Sequence, residues 1–300
     1  MASKGSGGMV VAVIIFSLIG FGYLRSQQGY SAAPPAAGDP GTSGGTGRYV
    51  ALGDSYTSSP RTGKQAGTPA GCDRSDNNYP HLVAASIKPA QFVDVSCSGA
   101  TTANMTAAQK TTNGTNPPQL DALNSATTLV TLGIGGNDVG FIGLAKECAT
   151  LNHNSSPCKA KMTAGGHDQL AERIEAAAPK IADVLTRIHA RAPRARVIVV
   201  GYPTALPDGP GCWPFLPLGA DDVAYLRNSE AKLNHMLATQ ARTHRAGFAD
   251  TAAPSRGHDM CAKTGTKWVE DLVPTSRAQS LHPNANGERA MANAVLGLVR

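Results

Sequence analysis

Ser55 stands where a serine can act as a nucleophile. It belongs to the segment Leu52-Gly53-Asp54-Ser55-Tyr56 and follows an apolar run, Tyr49–Leu52, that is typical of a short buried strand. Open α/β sheets place their active sites at the carboxyl ends of their strands. A serine at that edge is a nucleophile if a base can reach its hydroxyl. Aspartate and serine are also common turn formers, so a plain strand-ending turn is the alternative interpretation.

Three further residues follow predicted strands or precede a predicted helix, and they could complete such a site. Gly99 follows the second predicted strand, and no side chain obstructs its backbone N–H. Asn137 follows the third strand, and its side-chain amide can donate two hydrogen bonds. His282 stands just before the last predicted helix, which Pro283 is suited to begin. The alternatives are a turn glycine, a turn pair with Asp138, and a capping or core histidine.

Together these residue types supply what acyl transfer needs. The imidazole of His282 can take the proton of the Ser55 hydroxyl during attack and return it to the leaving alcohol. The tetrahedral intermediate carries a negative oxygen, on which the N–H groups of Ser55 and Gly99 and the Asn137 side chain could converge. Losing one such donor typically costs about 3–4 kcal/mol of activation free energy. The ordered set therefore predicts a serine hydrolase that needs no metal and no organic cofactor.

The same segments resemble the four sequence blocks of the SGNH (GDSL-type) hydrolase family. These blocks are Gly-Asp-Ser, a glycine, Gly-x-Asn-Asp and a histidine near the C-terminus, and the resemblance covers residues 48–300. The residues Ala51–Tyr56, the six cysteines and the apolar N-terminal run Met9–Leu24, which would direct export, are most similar to those of the secreted actinobacterial esterases and lipases. The resemblance implies that Ser55 is the nucleophile, His282 the base, and Ser55, Gly99 and Asn137 the oxyanion hole. It also implies an α/β fold: a three-layer α/β/α sandwich of flavodoxin-like type around a parallel sheet of about five strands.

One position departs from the family pattern. The family often carries an aspartate three residues before the histidine, where it fixes the tautomer of the imidazole, but this sequence has Gln279 there. Some actinobacterial relatives use a main-chain carbonyl instead. We therefore expect the carbonyl oxygen of Gln279 to accept from His282, which leaves Ser55–His282 as a working dyad. A carboxylate reaching in from Asp271 or Asp259 is the alternative.

The leading hypothesis for function is hydrolysis of lipid or cell-envelope acyl esters through an acyl-enzyme on Ser55. Carbohydrate deacetylation and acyl transfer to an alcohol use the same chemistry and are alternatives. The rival from another class is a catalytically idle, envelope-tethered domain that binds a glycan or lipid, and the intact set of site residues argues against it. The net charge of +6 does not indicate a nucleic-acid partner, because no aromatic residues interleave the arginine group at 187–196. We expect a monomer.

The elements that must position these residues alternate between short apolar strands and longer helical segments. The predicted strands are Tyr49–Leu52, Phe92–Ser96, Thr128–Gly133, Val197–Gly201 and Gly247–Asp250. Apolar residues at helical spacing predict helices over about 170–188, 223–237 and 291–299, with Pro179 as a kink in the first. This alternation indicates a parallel sheet with helices on both faces.

Two long segments, about 57–78 and about 202–220, are predicted loops. The second is dense in proline and glycine, contains Trp213 and Phe215, and follows a strand. We therefore expect it to lie over the active-site edge of the sheet and to contact substrate.

The six cysteines indicate an oxidising compartment. They include no C-x-x-C pair, which disfavours zinc or thioredoxin-like chemistry, and their even number fits three disulfides. Sequential pairing, 72–97, 148–158 and 212–261, is preferred because each bond would close a segment that reads as a loop. Buried free thiols in a cytosolic protein are the alternative.

The N-terminal residues differ in composition from the rest of the chain. An apolar run extends from Met9 to Leu24, so residues 1–25 are predicted to be a signal peptide or a membrane anchor. Residues 26–47 are rich in Gly, Ser, Ala, Pro and Thr, which is typical of a flexible linker. The hydrolase domain would then span residues 48–300. It would be secreted, or anchored on the outer face of the cytoplasmic membrane.

Overall fold

A computed structural model describes residues 47–299 of the protein. The predicted export segment, residues 1–25, and the predicted linker, residues 26–47, lie outside this range except for Gly47. Within residues 47–299, no helix is both long enough and apolar enough to cross a membrane.

The strands confirm the predicted parallel sheet. In chain order they are β1 (Arg48–Gly53), β2 (Gln91–Asp94), β3 (Gln109–Thr111), β4 (Gly114–Asn116), β5 (Thr127–Gly133), β6 (Arg196–Val200) and β7 (Gly247–Ala249). Five of them form one sheet in the order β2-β1-β5-β6-β7, with every pair parallel. Numbered along the chain, this is the 2-1-3-4-5 order of flavodoxin-like folds. The order reverses between β1 and β5, where such folds place their ligands.

Helices cover both faces of the sheet, so the fold is the three-layer sandwich that the sequence predicts. In chain order they are α1 (Ser55–Ser58), α2 (Tyr79–Ile87), α3 (Gly136–Val139), α4 (Phe141–Glu147), α5 (Pro157–Met162), α6 (Gln169–Arg191), α7 (Ala220–Thr243), α8 (Ala252–Ser255) and α9 (Ala285–Val299). Alternate residues of β1 face opposite sides. Tyr49 and Ala51 pack with α2 and α9, whereas Val50 and Leu52 pack with α6 and α7.

The three predicted helices correspond to α6, α7 and α9, but several elements have no counterpart in the prediction. Five are the short helices α1, α3, α4, α5 and α8.

Another is α2, whose start carries a recognisable signal: the Asn78 side chain accepts from the backbone N–H of His81 at 3.0 Å, and Pro80 lies in the first turn. The antiparallel β3–β4 hairpin was also not predicted; its two-residue turn, Thr112-Asn113, joins the paired residues Thr111 and Gly114. Pro179 lies inside α6, which runs on from Gln169 to Arg191.

The disulfide prediction is confirmed. Cysteines pair sequentially, as Cys72–Cys97, Cys148–Cys158 and Cys212–Cys261. The first bond joins the loop before α2 to the segment that follows β2. Two backbone hydrogen bonds support it, from Ser98 N–H to the Cys72 carbonyl at 3.0 Å and from Cys97 N–H to the Gly53 carbonyl at 2.9 Å.

Side chains of α7 hold the segment that follows β6. Asn234 binds both backbone groups of Tyr202, accepting from its N–H and donating to its carbonyl oxygen, each at 2.8 Å. The carboxylate of Glu230 accepts from the backbone N–H of Ala205 at 3.1 and 3.2 Å. Burial raises the pKa of Glu230 to about 8, and the nearby charge of Asp259 adds to the rise. These contacts fix where the chain leaves the edge of the sheet.

The buried Glu230 makes stability depend on pH. Its pKa is higher in the folded chain than in the unfolded chain, so the folded state binds its proton more tightly. The stability that the Glu230 proton contributes is fully present below a pH of about 4.5, the pKa in the unfolded chain. It is lost as pH rises through about 8, the pKa in the folded chain. We expect Glu230→Gln to reduce the fall in the free energy of unfolding between pH 5 and pH 8, measured by urea denaturation. The exposed carboxyl of Glu175 provides the control, because Glu175→Gln should keep the wild-type dependence. Equal slopes for wild type and Glu230→Gln would contradict the assignment.

Candidate active site

Ser55 and His282 lie in hydrogen-bond contact at the carboxyl edge of the sheet. The Oγ atom of Ser55 is 2.8 Å from Nε2 of His282, although the two residues are 227 positions apart. On the other side of the ring, Nδ1 is 2.8 Å from the carbonyl oxygen of Ser280. A carbonyl oxygen can only accept, so Nδ1 carries the proton and Nε2 presents a lone pair to the serine hydroxyl. This is the tautomer that a general base needs.

Gly53 fixes the turn that carries Ser55. A Cβ atom at this position would lie 2.1 Å from Oγ1 of Thr57 and 2.6 Å from the carbonyl oxygen of Gly133, so only glycine fits. The buried side chain of Gln119 accepts from the N–H of Gly53 at 2.7 Å and donates to its carbonyl oxygen at 2.9 Å. Directly after Gly53, the backbone N–H of Asp54 donates to the Gly133 carbonyl at 2.9 Å. The backbone just before the serine is therefore held by both neighbouring strands and by Gln119.

Hydrogen bonds also hold the backbone around His282. Leu281 adopts a left-handed conformation with φ of 63°, which costs energy for a residue with a branched side chain. The carbonyl oxygen of Leu281 accepts from the Tyr56 hydroxyl at 2.8 Å, and the carbonyl oxygen of His282 accepts from the Glu270 N–H at 3.0 Å. Tyr56 also packs its ring against the imidazole, with centroids 5.1 Å apart. The residue after the serine thus orients the segment that carries the histidine.

The structure corrects the prediction for Gln279. A main-chain carbonyl does lie at Nδ1 of His282, but it belongs to Ser280. The carbonyl oxygen of Gln279 instead accepts from the backbone N–H of His282 at 3.2 Å. The left-handed backbone of Leu281, just before His282, directs the imidazole toward the Ser280 carbonyl instead of the predicted Gln279 carbonyl.

The two carboxylates considered as alternatives to Gln279 have other partners. Asp271 forms a buried ion pair with Lys267 at 2.7 Å. Asp259 accepts from the backbone N–H of Cys261 at 2.8 Å.

Gly99 and Asn137 lie in the segments that follow β2 and β5, the two strands that neighbour β1. Gly99 has φ of 77°, a conformation that favours glycine, and a Cβ atom there would have ample space, 3.8 Å from Nε2 of Gln109. The constraint on this position is therefore its backbone conformation. The Asn137 side chain donates to the carbonyl oxygen of Ala100 at 2.9 Å, which leaves its second amide hydrogen to point elsewhere. No acceptor among the described residues binds the backbone N–H of Ser55 or of Gly99.

Tyr202 links the serine turn to the Asn137 loop, and sequence reasoning gave it no role. Its hydroxyl donates to Oδ2 of Asp54 at 2.6 Å and accepts from the backbone N–H of Gly136 at 2.7 Å. Burial raises the pKa of Asp54 to about 7, although the Tyr202 hydroxyl and the Tyr56 N–H oppose the rise. Burial also raises the pKa of Tyr202, and the neighbouring Asp54 adds to the rise. The sequence indicated Tyr202 only through its position, two residues after β6 ends at the active-site edge.

An apolar cavity opens beside the serine. Ser55, Tyr56 and Asn137 line its polar end together with Phe141 and Ile142. Tyr56, Phe141 and Ile142 also line the adjoining part, whose other walls are apolar: Ala145, Ala149, Ala205, Leu206, Leu216, Pro217, Leu218, Met260, Leu272 and Leu281. Several of these wall residues come from the predicted loop 202–220, which therefore lies next to the nucleophile.

The described residues offer no metal site. Between residues 47 and 299, no group of three or more His, Cys, Asp or Glu side chains is arranged so that it could hold a metal ion. The chemistry available at the site is that of the serine, the imidazole and the surrounding hydrogen-bond donors.

Comparisons of sequence and fold with known proteins identify the family of the chain. The model of the GDSL-like lipase/acylhydrolase family matches residues 51–290. Among curated proteins, Lipase 2 of Streptomyces coelicolor is 42% identical in a match that covers 83% of this chain and 86% of that protein.

Two solved structures share the fold across almost their whole length. Phospholipase A1 from Streptomyces albidoflavus NA297 is 31% identical with a TM-score of 0.71, and the match covers 84% of this chain and 98% of that one. The extracellular lipase from Streptomyces rimosus has the same identity and TM-score, with coverages of 85% and 100%. The chain therefore belongs to the GDSL-like lipase/acylhydrolase family and is a serine hydrolase of carboxylic esters.

Proposed function

We propose that the protein hydrolyses esters of lipid acyl chains through an acyl-enzyme on Ser55, with His282 as the general base. The observation that carries the proposal is the 2.8 Å contact between Ser55 Oγ and His282 Nε2, at the mouth of an apolar cavity. The part of the cavity beyond the serine has apolar walls, which suit an acyl chain. The polar side chains near Ser55, namely Asp54, Tyr202 and Glu230, already bond to the protein itself. This favours lipid esters over the carbohydrate esters that the same chemistry could cleave.

The first half of the reaction acylates the serine. Ser55 Oγ attacks the ester carbonyl carbon while Nε2 of His282 takes the hydroxyl proton. The ring becomes an imidazolium, which the Ser280 carbonyl stabilises through Nδ1–H. The tetrahedral intermediate then collapses, and Nε2 returns the proton to the leaving alcohol oxygen. The acyl group remains on Ser55.

The second half of the reaction releases the acid. A water molecule that gives its proton to Nε2 attacks the acyl carbonyl, and the proton then returns to Ser55 Oγ as the carboxylic acid leaves. In both halves the negative oxygen accepts from the N–H groups of Ser55 and Gly99 and from the Asn137 amide. Gly99 and Asn137 lie in the segments that follow the strands on either side of β1, and a hydrogen bond to the Ala100 carbonyl already fixes the Asn137 amide. The donors therefore need little rearrangement when charge develops.

The proposal extends to the rest of the chain. Residues 48–300 form the catalytic domain, residues 1–25 direct its export, and residues 26–47 link the two. The three disulfides support an oxidising destination, and so does the similarity to a lipase described as extracellular. The protein acts outside the cytoplasm as a monomer.

Substitution of Ser55 or His282 tests the assignment of nucleophile and base. We expect a fluorophosphonate probe to label the wild-type protein, and Ser55→Ala to abolish the labelling. Turnover of esters should fall by about four orders of magnitude in Ser55→Ala and in His282→Ala. The exposed residues Ser125 and His235 provide controls, because Ser125→Ala and His235→Ala should be fully active. A wild type that neither reacts with the probe nor cleaves any ester would favour the idle binding domain.

Asn137→Ala tests the oxyanion hole. Loss of its amide should lower kcat by about 100-fold to 1,000-fold and leave KM nearly unchanged, because the missing hydrogen bond belongs to the transition state. Steady-state kinetics on a soluble ester measure both parameters. Asn228 is an exposed asparagine on α7, so Asn228→Ala should behave as wild type. A variant of Asn137 with normal kcat and raised KM would assign the side chain to substrate binding instead.

Gln279→Ala tests whether main-chain oxygen alone orients the base. The ring of His282 contacts the Ser280 carbonyl, which this substitution leaves in place. We expect kcat/KM to stay within about threefold of wild type, since no transition-state contact is removed. A loss near that of His282→Ala would show that the side chain of Gln279 takes part.

A further inference from the structure

Exposed apolar side chains are concentrated around the mouth of the apolar cavity. The large apolar residues that stand exposed in the described chain are Leu151, Trp213, Phe215, Val273 and Leu298, with exposed fractions of 96%, 42%, 75%, 76% and 37%. The first four, here termed the apolar rim, come from three separate segments. Single exposed apolar residues are ordinary, but a cluster of them marks an interaction surface.

Three of the rim residues lie within two sequence positions of a residue that lines the cavity. Phe215 directly precedes Leu216 and Val273 directly follows Leu272, and both Leu216 and Leu272 line the cavity. Leu151 lies two residues after Ala149, another wall residue.

Trp213 is joined to the same edge. Its indole N–H donates to the carbonyl oxygen of Thr150 at 3.3 Å, and the backbone N–H of Thr150 donates to the Pro217 carbonyl at 2.7 Å. The rim residues therefore belong to segments that line the same cavity, although Leu151 and Val273 are more than a hundred positions apart in the chain.

The rim is presented by a braced surface. The Cys212–Cys261 disulfide ties the Trp213–Phe215 segment to the residue after Met260, which lines the cavity. The backbone N–H of Phe215 donates to the Cys212 carbonyl at 3.0 Å. Leu151, Phe215 and Val273 leave most of their surface exposed in this arrangement. A partner that docks against the opening would bury that surface.

We propose that the apolar rim docks on the surface of a lipid aggregate, so that an acyl chain passes from the lipid directly into the cavity. This inference rests on the proposed function, since it assumes that the cavity receives the acyl chain of an ester. A second copy of this chain is the other apolar occupant, but a dimer formed through the rim would close the opening that substrate must use. Trp213 suits a lipid surface, because its ring is apolar and its N–H is already bound.

The test compares aggregated and dissolved substrates in the full-length protein. We expect the triple variant Leu151→Ser, Phe215→Ser, Val273→Ser to lose at least about tenfold in activity on phosphatidylcholine vesicles, because three apolar anchors are removed. Activity on dissolved p-nitrophenyl acetate should change by less than about twofold, because the rim lies outside the catalytic groups. Leu298 is the matched control: it lies near the end of α9, where its carbonyl accepts from Arg196 at the opposite edge of the sheet. Leu298→Ser should keep both activities.

A second measurement does not depend on turnover. The chain has two tryptophans, Trp213 and Trp268, and vesicles of brominated phosphatidylcholine should quench the fluorescence of the first. Quenching should largely disappear in Trp213→Phe and in the triple variant, and persist in Leu298→Ser and in Ser55→Ala. Quenching that persists in Ser55→Ala would separate docking from catalysis even if the proposed function failed.

Two results would overturn the proposal. One is a triple variant that cleaves vesicle lipid as well as wild type does. The other is a wild type that dimerises in size-exclusion chromatography, with the dimer abolished by the triple variant and no quenching by brominated vesicles. That second result would assign the rim to a second copy of the chain.

Discussion

The close approach of β1 to β5 at Gly53 and Gly133 is the constraint on which the site depends. No side chain fits between the two backbones there, and Gln119 and the Cys97 N–H occupy the remaining backbone groups of Gly53. The serine turn therefore has one position relative to the sheet. Because β2 and β5 lie on either side of β1, the segments bearing Gly99 and Asn137 leave the sheet next to the serine turn, and they meet where Asn137 donates to the Ala100 carbonyl. The active site follows from strand order once that contact is made.

Polar groups buried around this contact connect the surrounding loops. Tyr202 joins the serine turn to the Gly136 loop, Tyr56 joins it to the segment before His282, and Glu230 holds the loop after β6. A buried hydrogen bond costs more to leave unmade than it contributes when formed. Such a network does little to raise stability, but it penalises every arrangement in which a loop is displaced. It therefore specifies geometry, which is what a site with a 2.8 Å contact between Ser55 Oγ and His282 Nε2 requires.

The residues proposed to perform chemistry were visible in the sequence, whereas those that position them were not. Ser55, Gly99, Asn137 and His282 each follow a strand or precede a helix, so topology alone predicts that they meet. Gln119 and Tyr202 act through contacts between residues 66 and 148 positions apart, and no local pattern marks such contacts. The wrong prediction for the Gln279 carbonyl has the same origin. The left-handed backbone of Leu281 decides which carbonyl faces the ring of His282, and the sequence does not indicate that a leucine adopts this conformation. Short elements such as α2 were missed for lack of apolar periodicity, although the cap at Asn78 was readable.

The Cys72–Cys97 bond lies two residues from Gly99, and this proximity has a consequence for how the segment around Gly99 is held. The backbone hydrogen bonds of Cys97 and Ser98 already hold this segment against Gly53 and the loop before α2, so its position does not depend on the disulfide alone. The covalent bond constrains the unfolded chain by closing a loop with a sequence separation of 25. An oxidising environment therefore adds stability beside Ser55 without having to define the local geometry.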